Sequence, residues 1–113
     1  MVKIEAFIHS FKLDAVKAAL DEIGVRGPVY SHALCHAAGD TPKLHYRGAT
    51  YSADVPVLRL EMLVSSLQVD EVIEALHLAA RTNESANDGL ILVYEVANAI
   101  QINNGERADF ALY

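Results

Sequence analysis

The chain has little of what would staple, anchor or charge it. Cys35 is the sole cysteine among 113 residues, so an internal disulfide is excluded. Tryptophan is absent as well, which carries no inference of its own. No stretch approaches the roughly 20 continuous apolar residues that cross a bilayer. The start, Met1-Val2-Lys3-Ile4-Glu5, alternates as a strand does and holds no signal-peptide core, so a cytoplasmic protein is expected. Basic residues are scarce, nine Lys plus Arg against fifteen Asp plus Glu, for a formal charge of -6. Nucleic acid calls for a concentrated basic surface, and this balance argues against it, although one local basic site is still allowed. Nucleophile elbow, HExxH, Walker A and dinucleotide signatures are all missing, and no catalytic residues are expected.

What is present is a folded composition, 52% hydrophobic and 21% charged, of a length that suits a single domain over 1–113. Val2, Ile4, Ala6 and Ile8 alternate with Lys3, Glu5, Phe7 and His9, the pattern of a half-buried strand. Leu13, Val16, Leu20 and Ile23 then recur three and four apart, one apolar face of a helix that Gly24 is placed to end. Val29 to Cys35 reads as a second strand. From His36 to Pro56 no period holds, and a loop of that size in so small a domain is usually functional.

Val57 to Val64 reads as the third strand. Ser66 is the expected N-cap of a second helix whose apolar face is Val69, Val72, Ile73, Leu76, Ala79 and Ala80. After a turn-rich loop, Leu90 to Val96 has the apolar character of a central strand, continued by a short segment at Ile100 and Ile102. Asn104-Gly105 turns the chain into a polar tail. Strand, helix, strand, long loop, strand, helix, strand predicts an α+β domain of the ferredoxin-like split βαβ type (βαββαβ). Its two helices lie on one face of an antiparallel sheet. Phe7, Leu34, Leu63, Ile91 and Val93 are the apolar candidates for the uncovered face, and burying such faces in a closed homo-oligomer is the economical solution.

Several blocks carry a resemblance that runs in register along nearly the whole chain. Ile4-Glu5-Ala6 with Phe11-Lys12-Leu13-Asp14, Tyr46-Arg47-Gly48-Ala49-Thr50-Tyr51, Val69 to Leu76, Asp88-Gly89, Val93-Tyr94-Glu95-Val96 and Gly105-Glu106-Arg107 resemble the PII nitrogen-regulatory signalling proteins. The resemblance implies a homotrimer with a T-loop at about 36–56, a B-loop at about 82–90 and a C-terminal tail at about 103–113. It implies control of a membrane transporter, metabolic enzyme or regulator through T-loop residues Tyr46, Arg47 and Tyr51. Tyr51 stands where many bacterial members are uridylylated, next to Thr50 in place of the usual acidic residue. A small-molecule effector would sit in a cleft built from Lys12, Ala37, Gly39, Asp88, Gly89, Gln101 and Asn103.

The departures from the family pattern fall in that cleft. Leu90 follows Asp88-Gly89 where the family has a phosphate-binding lysine, and Gln101 and Asn103 replace its Arg-x-Arg. Gly39 takes the place of a glutamine used for magnesium and 2-oxoglutarate. Thr82-Asn83 replaces Thr-Gly, and the B-loop is one residue longer. Hydrogen bonds to charged groups contribute about 1.5–3 kcal/mol each, so losing three phosphate-facing cations weakens ATP or ADP binding by orders of magnitude. Two readings follow: a trimeric regulator, in the family's setting of nitrogen metabolism, or a divergent member. The divergent member answers another effector (adenylate, bicarbonate or metal) or serves as a non-sensing scaffold.

The metal reading rests on Cys35, His36 and His45, which bracket or enter the long loop. A soft-metal site built from these three lacks a fourth ligand, and the plainer expectation is semi-exposed histidines with a buried, packing Cys35. Lys12 is read equally as an anion contact or a solvated residue before a helix. Glu61, on the same strand face as Arg59, is expected to form a salt bridge or an interface contact.

Overall fold

A computed structural model describes residues 1–25, 27–36, 43–46, 49–52, 54–82 and 88–107, with the backbone alone at 43–46 and 49–52. In chain order the elements are β1 (Val2–Ile8), a 3-10 turn (Ser10–Lys12), α1 (Leu13–Glu22), β2 (Val29–Cys35), β3 (Lys43–Tyr46), β4 (Ala49–Ser52), β5 (Val55–Val64), a second 3-10 turn (Ser66–Gln68), α2 (Val69–Ala80) and β6 (Leu90–Glu95). Four strands form an antiparallel sheet in the order β2-β5-β1-β6, and β3 and β4 pair as a separate two-stranded sheet. The ferredoxin-like α+β reading stands.

The alternation of β1 sets the layering. Val2, Ile4, Ala6 and Ile8 are buried, and opposite them on β5 lie Val64, Met62, Leu60 and Leu58, buried too. Val16 and Leu20 of α1 with Val72, Leu76 and Ala80 of α2 close this core from above, the two helices packing side by side. Each such side chain removed from water contributes about 1.5–3 kcal/mol, which is why the helices need little help from their caps. Gly24, at φ +76°, ends the first helical segment, with its N–H donating to the Asp21 carbonyl at 3.1 Å.

Several expectations are corrected. The hydroxyl that caps the second helical segment belongs to Ser65, which accepts from the Leu67 N–H at 3.3 Å; Ser66 Oγ instead lies 2.8 Å from the amino terminus of Met1. β5 begins at Val55 and runs through Pro56, two residues before the ladder to β1 starts at Leu58. Pro56 pairs with Leu34 of β2 on one side only, since the ladder to β1 on the other side has not yet begun. β6 is an edge strand, because it pairs with β1 alone. It stops at Glu95, and Ile100 makes only an isolated bridge to Arg107, with Ile102 fully exposed in the turn between them.

Register also reassigns faces. Ile91 and Val93 stand opposite Ala6 and Ile4, and Leu34 opposite Pro56, so all three belong to the helix side of the sheet. Ile91 packs against the core there, while Leu34, on the outer strand, stays 70% exposed. The uncovered face carries Phe7 and Leu63 as expected, but its remaining apolar residues are Val29, Ala33, Val55, Val57, Leu90 and Leu92.

Candidate functional site

The uncovered sheet face divides into a charged half and an apolar half. In the charged half Glu5 stands directly opposite Glu61, a like-charge pair that would be unfavourable alone. Lys3 Nζ lies between them, 3.9 Å from Glu5 and 3.6 Å from Glu61, and Arg59 Nε reaches Glu61 at 3.4 Å. The Tyr94 hydroxyl donates to Glu5 at 3.5 Å, and Lys3 Nζ sits 5.5 Å from the centre of the Tyr94 ring. Glu61 is thus a salt-bridge residue.

The apolar half lies where β1 and β2 end and β5 and β6 begin. Phe7, Ala33, Val55, Val57 and Leu90 line a cavity of about 480 Å³ there, with Cys35, His9 and Asp88 as its polar members beside Ile8, Leu34 and Gly89. Its volume lies within the range of small-molecule sites. A smaller hollow of about 210 Å³ on the helix side shares Asp88, Gly89 and Leu90 and adds His77 and Arg81.

Asp88 and Gly89 are fixed at this junction from two directions. The Asp88 carboxylate accepts from the Thr82 N–H at 2.7 Å and from the Thr82 hydroxyl at 2.6 Å, tying the start of β6 to the end of α2. Those two hydrogen bonds, hydroxyl first, hold the Asp88 carboxyl below its ordinary value. Partial burial opposes them, and the charges of His9 and Lys12 assist. His9 Nε2 stands 3.6 Å from the same carboxylate, its ring stacked on Phe11 with centroids 5.3 Å apart. Gly89 adopts φ +121°, and a Cβ there would fall 1.8 Å from the Phe7 carbonyl oxygen. Only glycine lets β6 approach β1 so closely at this point.

The structure sets Asp88 and Gly89 in the cavity lining, with Thr82 and His9 against the Asp88 carboxylate, while Lys12 lies outside the lining with its Nζ 5.9 Å from the centre of the Phe11 ring that stacks on His9. No spacing rule singles out His9: it follows β1 by one residue, and its partner lies far along the chain. Leu90 occupies the cavity wall, 58% exposed. Gln101 lies in a C-terminal turn closed by its N–H donating to the Glu106 carbonyl at 2.8 Å and by the Gly105 N–H donating to the Gln101 carbonyl at 2.9 Å. Asn103 is exposed in that turn.

Tyr46 and Tyr51 fall on β3 and β4, where the backbone register sets Tyr46 opposite Ala49 and Leu44 opposite Tyr51. Ala37, Gly39 and Arg47 lie outside the described residues, as does the side chain of His45. Cys35 is exposed, against the expectation of a buried packing residue, because β2 is the outer strand of the sheet. His36 Nδ1 stands 3.1 Å from Asp54 Oδ1, a pairing across the base of the long loop that sequence spacing does not reveal. Among the described residues no three His, Cys, Asp or Glu side chains gather as metal ligands.

The sequence model of the family described as nitrogen regulatory protein P-II matches residues 1–106. A nitrogen regulatory protein P-II of Rhodospirillum rubrum is 41% identical over 113 residues, covering 99% of this chain and 100% of its own. Proteins of the same description from Pasteurella multocida and Haemophilus influenzae are 37% and 39% identical, each over 99% of this chain and 100% of their own.

Proposed function

This chain belongs to the nitrogen regulatory protein P-II family, and from that premise we propose that it is a homotrimeric signal transducer in the cytoplasm. It would read a small-molecule effector at the end of its uncovered sheet face and report it to a protein target, a transporter or metabolic enzyme, through the loop between β2 and β5. As a member of that family it is a regulator and not an enzyme.

One observation carries the proposal: an open sheet face with a cavity of about 480 Å³ at one end, lined in part by His9, Asp88 and Gly89. Half-exposed Phe7, Leu63 and Leu92 on that face support burial against other copies of the chain, for contiguous apolar surface of this kind marks interfaces. Tyr46, Arg47 and Tyr51 are the residues proposed to engage the target, and Tyr51 is the candidate for modification.

A second reading departs from the family's usual nucleotide effector and has its own support. Leu90, where a phosphate-binding lysine is expected, is part of the cavity wall. A thermal-shift screen of ATP, ADP, AMP, 2-oxoglutarate, bicarbonate and divalent metals separates the readings, since a ligand of the folded state raises its melting temperature. A shift with ATP supports the conventional sensor, a shift with another member of the panel supports the divergent one, and no shift with any of them supports a scaffold. Excision of residues 37–53 is expected to leave the assembly intact and to abolish target retention; a variant that still retains its target removes the loop from the proposal.

A further inference from the structure

We propose that Ile100 and Ile102 of a second copy of this chain seat against the apolar walls at the end of the uncovered face, so that the C-terminal turn of one copy completes the cavity of the next. The inference rests on the homotrimer proposed above, and it names the residues that join its copies.

Acceptor and donor stand at opposite ends of the same sheet. Phe7, Ala33, Val57 and Leu90 wall the cavity where β1 and β2 finish. The C-terminal turn leaves the sheet from the other end: β6 stops at Glu95, opposite Val2, and the Val96 N–H donates to the Met1 carbonyl at 3.2 Å. The seven residues of β1 separate those ends by about 20 Å. In the turn Ile102 is fully exposed and Ile100 is 53% exposed. Both are β-branched and stiff, so seating them against aliphatic walls gains the transfer energy of the side chain at little cost in rotamer freedom. A contact between two different patches of one chain is heterologous, and its repetition by a closing rotation makes a ring. Two sheet faces meeting as identical patches would instead stop at a pair.

The sole cysteine of the chain makes the contact testable, because Cys35 lines the cavity. Ile102→Cys gives each full-length chain one thiol in the cavity and one in the turn, and Ile100→Cys samples the neighbouring position. A disulfide needs Cα atoms within about 7 Å, so only a second copy brings the turn to Cys35. Oxidation with copper–phenanthroline, read on a non-reducing denaturing gel, is expected to give covalent dimers and trimers. Adding Cys35→Ser should abolish the covalent trimer, since one thiol per chain joins two chains at most. Ile102→Asp changes a side chain that is fully exposed in the single chain, so the fold of that chain is left alone. Light scattering over a dilution series should show its trimer dissociating at about tenfold or more higher concentration than wild type.

A wild-type trimer whose Cys35 forms no interchain disulfide with position 100 or 102, and which Ile102→Asp leaves as tight as before, overturns the proposal and leaves the trimer standing. An oxidised product that runs as a monomer, joined within one chain, overturns it as well. So do dimers that persist at full yield after Cys35→Ser, which would mean that turn meets turn. If the wild type is a monomer at micromolar concentration, the underlying reading falls and the proposal with it.

Discussion

Gly89→Ala should be among the most damaging single-methyl changes available in this chain. The residue sits at φ +121°, a backbone region that costs a side-chain-bearing residue about 1–3 kcal/mol. The added Cβ would also lie 1.8 Å from the Phe7 carbonyl oxygen and 2.9 Å from its carbon. Both are backbone atoms, so no rotamer change relieves the overlap. β6 must draw back from β1 and give up the terminal Phe7–Leu90 pairing, a further loss of about 1 kcal/mol per hydrogen bond. Together these give roughly 2–4 kcal/mol. Gly24→Ala is the matched control, because Gly24 has φ +76° but nothing within 4 Å of an added Cβ; about 1 kcal/mol is expected there. Urea unfolding at a fixed protein concentration reads the difference as a drop in midpoint with unchanged slope. If Gly89→Ala is no less stable than Gly24→Ala, the close approach of β6 to β1 does not exist as described.

Two further outcomes follow from the same face of the sheet. Because Asp88 has a folded pKa below its unfolded one, its contribution to stability is present above the ordinary carboxylate range and is lost as pH falls through the folded value. Thermal melts of wild type and Asp88→Asn should therefore differ most near neutrality and converge in acid; a gap independent of pH removes the Thr82 clasp from the account. Lys3→Met leaves Glu5 facing Glu61 with Arg59 as the remaining counter-ion. Urea unfolding should show a loss of about 0.5–1 kcal/mol at low salt that mostly disappears at high salt; a salt-independent loss contradicts the electrostatic cause.

How much of this was legible depended on whether the signal was local. The alternation of Val2 to Ile8 and the spacing of Leu13, Val16 and Leu20 needed no partner to be read, and both core faces emerged directly. Which face Leu34, Ile91 and Val93 occupy is set by registers to Pro56, Ala6 and Ile4, and register between distant strands leaves no local mark. β3 and β4 are four residues each, too short for a period to show, and Pro56 disguised the start of β5. In the site, Asp88 and Gly89 were found through a motif. The reasons they matter, Thr82 for one and the Phe7 carbonyl for the other, are contacts that only the folded chain makes. His9 reads in the sequence as a residue that follows a strand and needs no special role, because its partner Asp88 lies far along the chain.

The proposed trimer would form by burying the uncovered sheet face of each chain against other copies. Light scattering coupled to size-exclusion chromatography at micromolar concentration tests it most directly. The mass of three chains is expected; a monomer at that concentration refutes the trimer.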